Sequence, residues 1–215
     1  MNYDKYQFYY PPRVEQALST KFLEEYSSND YLVQPKLNGD SAIIFTNGKE
    51  LIIKNRHKQA FKKSTVKLEA IIQDFCKENK VRSWIVLVGE WMTKSKKNAE
   101  NKSFNDNFIL FDILVSKGIY LLNFTFEERY EIIKDLCSSS YYDGHILKTN
   151  VENLYLVNNL ENNNMTDLFI DVAHIDMYEG LVLKKKNAKL EIGLNEKNNS
   201  KTQVKFRKPT KNYHY

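Results

Sequence analysis

Apolar and polar positions along this 215-residue chain repeat with two periods, and the period separates strands from helices. In "RVEQALSTKFLEEY", residues 13–26, Val14, Leu18, Phe22 and Leu23 fall on one helical face and predict an amphipathic helix. "YLVQPK" reads as a short strand. "SAIIFTNGKELIIKN" holds two strands joined at Asn47-Gly48, a dipeptide that accepts the positive φ angles of a tight hairpin turn. "STVKLEAIIQDFCKEN" predicts a helix with Ser64 as N-cap and Leu68, Ile71, Ile72 and Phe75 turned inward. "SWIVLVGEW" and "NFILFDILV" are apolar runs of strand length. "TFEERYEIIKDL" predicts a helix opened by Thr125 and Glu128 at capping-box spacing. "TDLFIDVAHIDMY" is a further helix, and "EGLVLKKKN", "AKLEIGL" and "TQVKFRK" are closing strands. "LENNNMT" reads as a loop. So does "TKSKKNAENKSFNDN", long and basic enough to be mobile or functional.

Strands and helices do not alternate as βαβ units, so the expected fold class is α+β, antiparallel sheets flanked by helices. The mass of 25.4 kDa, with no linker, repeat or low-complexity block, predicts one domain over 1–215. Hydrophobic residues make up 42% of the chain, including 12 Phe and 14 Tyr, which is enough for a core and excludes disorder as the dominant state. A net charge of +5 suits a polyanionic partner without requiring one. The two cysteines, Cys76 on an apolar helical face and Cys137 at a helix end, have no Cys or His at metal spacing; free thiols in a reducing compartment are expected. "MNYDKYQFYYPPR" lacks an apolar h-region, and no apolar run is long enough to span a bilayer. The expected location is intracellular, cytoplasmic or inside the host cell of a virus or phage.

Several strands end in charged residues, and such ends can line a cleft. In chain order these are Lys36, Arg56, Glu90, Phe111 with Asp112, Glu179, Lys184, Lys205 and Arg207. The mixture suits a nucleoside triphosphate: cations hold phosphate oxygens, and carboxylates hold a divalent metal or a ribose hydroxyl. The order resembles the covalent nucleotidyltransferase superfamily of ATP-dependent DNA ligases, RNA ligases and mRNA-capping enzymes. Its K-x-x-G motif appears as "KLNG", its strand ending in G-E as "LVGEW", its aromatic strand as "FILFD", its fourth motif as "EGLVLK" and its last basic strand as "VKFRK". K-x-x-G alone means little; five elements in order, from about Tyr31 to Lys208, are specific. The implied fold is the ATP-grasp-like nucleotidyltransferase domain.

The resemblance implies residue roles. Lys36 is the expected nucleophile, its neutral amine attacking the α-phosphorus of ATP to form lysyl-AMP; a free lysine titrates near ~10.4, so the site must favour the neutral form. Gln34, Leu37 and Gly39 are expected around the nucleotide, with Gln34 where many ligases carry Glu. Arg56 is expected on the ribose and a 5′-phosphate, Glu90 on a ribose hydroxyl, and Phe111 stacked on adenine, with Phe108 as competitor. Glu179 and Asp112 are the expected ligands of Mg²⁺ (or Mn²⁺). Lys184 and Lys205 are expected on the α-phosphate, with Arg207 or Lys208 as the second cation of the last motif. Asp40 is a weaker candidate for the sealing steps. Lys94, Lys96 and Lys97, with Lys62 and Lys63, are candidates for nucleic-acid phosphates, although a solvated lysine face explains them as well.

DNA ligases and capping enzymes resemble each other in carrying an OB-fold after the last motif, and "PTKNYHY" cannot build one. On that ground the expected activity is an ATP-dependent RNA ligase joining 5′-phosphate and 3′-hydroxyl ends. A minimal DNA ligase, a guanylyltransferase and a non-enzymatic nucleic-acid-binding domain are the alternatives. A monomer is expected, with RNA as partner and room for a partner protein supplying the missing domain.

Overall fold

A computed structural model describes residues 3–6, 13–14, 17–138, 140–161, 164–190, 199–200 and 202–209. Its strands are β1 (Arg13–Val14), β2 (Ala17–Leu18), β3 (Tyr31–Leu37), β4 (Asp40–Thr46), β5 (Leu51–Asn55), β6 (Ile85–Met92), β7 (Asn107–Ser116), β8 (Ile119–Tyr120), β9 (Ser140–Tyr141), β10 (Ile146–Lys148), β11 (Leu154–Val157), β12 (Tyr178–Lys185), β13 (Asn199–Ser200) and β14 (Gln203–Arg207). The helices are α1 (Val66–Glu78), α2 (Phe126–Cys137) and α3 (Met165–His174). One sheet runs β5-β4-β6-β7-β11-β10-β9, with β8 on β7; a second runs β2-β14-β12-β3.

The apolar runs are unbroken because the central strands are covered on both faces. Ala42 and Ile44 of β4 enter the main core with α1, α2, α3 and the second sheet. Ile43 and Phe45 of the same strand enter a smaller cluster behind, where Tyr3 and Tyr6 set their rings edge-on to Phe45. Pro35 is tolerated inside β3 because that strand is the sheet edge, where a missing N–H breaks no ladder.

α+β is the observed class. The capping box of α2 forms in both directions: Glu128 N–H donates to the Thr125 hydroxyl and Thr125 N–H to the Glu128 carboxylate. Cys76 and Cys137 are buried and free. Other elements differ. The stretch 13–26 is not an α-helix: β1 and β2 are followed by a 3₁₀ segment, Thr20–Tyr26, in which Leu23 is buried and Phe22 exposed. Pairing of β2 with β14 overrides the local periodicity. Helix α1 starts one residue later than expected, with Thr65 rather than Ser64 at the cap. Helix α3 ends at His174. Strands β10 and β11 fall where no element is expected, and β11 pairs parallel with β7 across the α2 crossover. Most of the strand expected at "AKLEIGL" lies outside the described residues.

Two bulges prepare the site. On β12, the register with β3 shifts between Tyr178 and Gly180. There Gly180 adopts φ +132°, and a Cβ on it would sit 2.1 Å from the Phe206 carbonyl oxygen. Gly180→Ala is expected to cost about 1–3 kcal/mol, measured by urea unfolding; a change well below 1 kcal/mol would show that β12 and β14 can separate there. On β7, Val88 pairs with Asp112 and Gly89 with Leu110, leaving Phe111 without a partner. A bulged residue is re-aimed.

Candidate active site

The register of the second sheet gathers the expected cations. Gly180 lies between Lys36 and Arg207, and Val182 between Gln34 and Lys205. Residues directly opposite share a face, so these four side chains leave the sheet on the same side. Strict alternation would send Glu179 the other way; the bulge turns it back. Its Oε2 is touched by Lys36 Nζ and lies 3.1 Å from Arg207 Nη2.

Glu90 approaches from β6. The turn between β3 and β4 passes so close that Gly39 N–H donates to Glu90 Oε1 at 3.0 Å, and a Cβ on Gly39 would meet the Trp91 carbonyl at 2.7 Å. This is why the last position of "KLNG" has no side chain. Burial of the Glu90 carboxyl pushes it up to about 7; Lys36 and the Gly39 N–H oppose the rise, while Glu179 and Asp40 add to it. A carboxyl raised in the folded state stabilises below its unfolded value of 4.5 and loses that contribution as pH rises through about 7. Glu90→Gln is therefore expected to raise Tm relative to wild type more at about pH 8 than at about pH 5, followed by thermal unfolding; equal shifts at both would remove Glu90 as the source.

Two cavities meet at the lysine. One is a polar cleft of about 590 Å³, bounded by Lys36, Gly39, Asp40, Glu90, Glu179 and Arg207, with Arg56, His57, Lys62 and Lys63 on its outer wall. The other is a smaller space of about 150 Å³ lined by Gln34, Leu37, Phe111, Val157, Val182 and Lys184, with Asp112 and Gln203. Lys36, Leu37 and Glu90 border both. One cavity suits a flat apolar ring, the other a chain of charged groups, and the Lys36 amine stands between them.

Some expected roles move. Phe111 borders the smaller cavity, whereas its competitor Phe108 is fully buried against Gly89. Asp112, expected to ligate metal, accepts from Arg129 Nε at 2.8 Å and Nη2 at 3.1 Å; a guanidinium occupies both oxygens, and the residue is buried. Lys184, expected on the α-phosphate, lies beneath the ring cavity instead: its Nζ is 4.9 Å from the Phe111 ring centre, 4.2 Å from that of Phe126 and 3.4 Å from the Phe111 carbonyl oxygen. Burial brings the Lys184 ammonium down to about 7, with Asp112 opposing and Arg129 adding. Of the two choices for the last motif, Arg207 faces the cleft. Lys208 turns to the end of α3, donating to the carbonyls of Ala173 and Ile175.

The loop lysines are not in either cavity. Lys96 pairs with Asp176 at 2.9 Å, and Lys97 N–H donates to the same carboxylate. Asn98 ties the loop together, accepting from the N–H groups of Glu100 and Lys102 and donating to Tyr142. Lys94 is exposed. Asp40 accepts from the Thr93 hydroxyl at 2.5 Å and from Lys63 at 3.5 Å at the cleft rim. Sequence reasoning missed Thr93, Arg129, Asn159 and Gln203, all brought in by strand pairing or by α2; the Arg129 signal was a cation inside an otherwise apolar helical face.

Fold and site define a ligase-type nucleotidyltransferase domain. Residues 13–205 match the family model for the ATP dependent DNA ligase domain, and the chain belongs to that family. The ligase domain of M. tuberculosis LigD is similar over 96% of this chain and 61% of its own, with TM-score 0.66 and 14% identity. A Lig E DNA ligase is similar over 92% of this chain and 69% of its own, with TM-score 0.53 and 16% identity. An archaeal ATP-dependent RNA ligase covers 94% of this chain and 48% of its own, at TM-score 0.53 and 16% identity. The chain thus spans about three-fifths of the length of the LigD ligase domain. No curated protein matches the sequence.

Proposed function

We propose that the chain is an ATP-dependent polynucleotide ligase working through lysyl-AMP on Lys36. The observation that carries this is the position of the Lys36 amine at the junction of a ring-sized cavity and a charged cleft. Adenine and ribose would take the smaller space against Phe111, and the phosphates the larger one. The α-phosphorus then falls beside Lys36. Its neutral amine attacks, the N–P bond forms, the bond to the β-phosphate oxygen breaks and pyrophosphate leaves. The amine's proton passes to the Glu179 carboxylate that touches it. Arg207, on the cleft wall, faces the departing charge, and Lys205 leaves the same strand on the same side without lining either cavity. A terminal 5′-phosphate next displaces the lysine from AMP, and a 3′-hydroxyl then displaces AMP to seal the strand.

Among the described residues no three metal-binding side chains cluster. Glu179 alone still suits Mg²⁺ (or Mn²⁺), which commonly takes one or two carboxylates plus substrate phosphates. Bound there, the ion supplies positive charge that neutralises the phosphates and favours the neutral amine.

A nick in duplex DNA is the favoured substrate, supported by the family match across 13–205. RNA is the alternative substrate, supported by the similarity to the archaeal ATP-dependent RNA ligase. Label transfer from α-labelled ATP, but not GTP, on a denaturing gel supports a ligase; label from GTP alone supports capping; no label overturns both. Nicked DNA, RNA and hybrid duplexes then select the substrate. Lys62, exposed on the cleft wall, is expected to meet a backbone phosphate. Lys62→Ala should weaken nick binding and lower the slope of log affinity against log salt by about 1; an unchanged slope would place the strand elsewhere.

A further inference from the structure

Gln34 is 2% exposed and borders the ring cavity, and its Nε2 donates to Asn159 Oδ1 at 2.8 Å. Asn159 belongs to the segment that leaves β11, far along the chain. A Glu at position 34 would need no such partner, because a carboxylate accepts with either oxygen. An amide is different: one end accepts and the other donates, and its orientation decides which end a ligand meets. Asn159 takes an N–H of Gln34 and so fixes the amide plane, leaving Oε1 as the acceptor for a bound ring.

We infer that Asn159 is a positioning residue that sets base selectivity by holding Gln34 with its carbonyl toward the nucleobase. This rests on the proposed nucleotide binding. An acceptor there pairs with the 6-amino group of adenine and repels the 6-oxo group of guanine. A purine without the 6-substituent forfeits the bond and avoids the repulsion. Without Asn159 the amide is free to turn over, and its NH₂ then pairs with the 6-oxo group of guanine and opposes the 6-amino group of adenine.

The test uses the whole chain. Calorimetry gives the affinities of α,β-methylene-ATP, the corresponding GTP analogue and purine riboside triphosphate, and label transfer from ATP and GTP is run beside it. Asn159→Leu should lower the ATP-over-GTP ratio about tenfold or more, because the polar discrimination is lost. Asn159→Asp, which still accepts from Gln34, should keep the wild-type ratio. The double variant Gln34→Glu/Asn159→Leu should recover the ratio, since a carboxylate needs no orienting; a purely structural role for Asn159 would not be rescued this way. An unchanged ratio in Asn159→Leu, or a lowered ratio that Gln34→Glu does not restore, overturns the inference while leaving the ligase reading intact. Wild-type protein that neither binds nor transfers any of these nucleotides overturns the ligase reading itself.

Discussion

Replacing Lys36 by Met is expected to abolish transfer of label from α-labelled ATP, a loss of about 10³-fold or more, without unfolding the protein. The amine is the proposed attacking group, and no other lysine among the described residues borders both cavities. Removing it leaves the Glu179 carboxylate with Arg207 at 3.1 Å, so the charge is not stranded. Lys36→Arg separates the two roles of the side chain. A guanidinium keeps a cation beside Glu179 but stays protonated at any ordinary pH, so it cannot attack. It should fold like wild type and still take no label. Label retained on either variant, mapped by peptide mass, would move the nucleophile elsewhere.

Asp112→Ala is expected to cost about 3–5 kcal/mol in urea unfolding. The carboxylate is buried and holds Arg129 through two hydrogen bonds, while Arg129 also donates to the Phe124 carbonyl at 3.0 Å. Truncation leaves that guanidinium unpaired in the interior, with the Lys184 ammonium nearby. Removing both partners is a different matter, since a well-packed apolar pair of similar volume is often neutral. Asp112→Leu with Arg129→Met should therefore recover most of the loss. A small effect of Asp112→Ala, below about 1 kcal/mol, would mean that water reaches the pair. The same variant tests the correction to the site: a metal ligand would lose metal dependence, whereas this ion pair loses stability.

Local chemistry carried much of what was legible beforehand. The Thr125–Glu128 capping box, the inward face of α1, the apolar run of β12 and the alternating basic residues of β14 are short-range patterns. They appear in the structure because nothing distant competes with them. The segment 13–26 shows the opposite case. Its apolar spacing fits a helix, yet pairing of β2 with β14 decided its form. Strands β10 and β11 are too short to announce themselves and exist through pairing with each other and with β7.

The site divides along the same line. Which residues carry charge at strand ends was written in the chain, and so was the order Lys36, Glu90, Glu179, Arg207. Where those charges point was not. Glu179 turns to Lys36 through a bulge that needs Gly180, and Phe111 is aimed by a bulge opposite Gly89. Asp112 and Lys184 looked alike to their neighbours in sequence, but burial beside Arg129 and two aromatic rings took them out of the charged cleft. Sequence determines the groups a segment can offer and its local shape. Only the packing of distant strands and α2 decides which groups meet, because desolvation and pairing depend on neighbours that are remote along the chain.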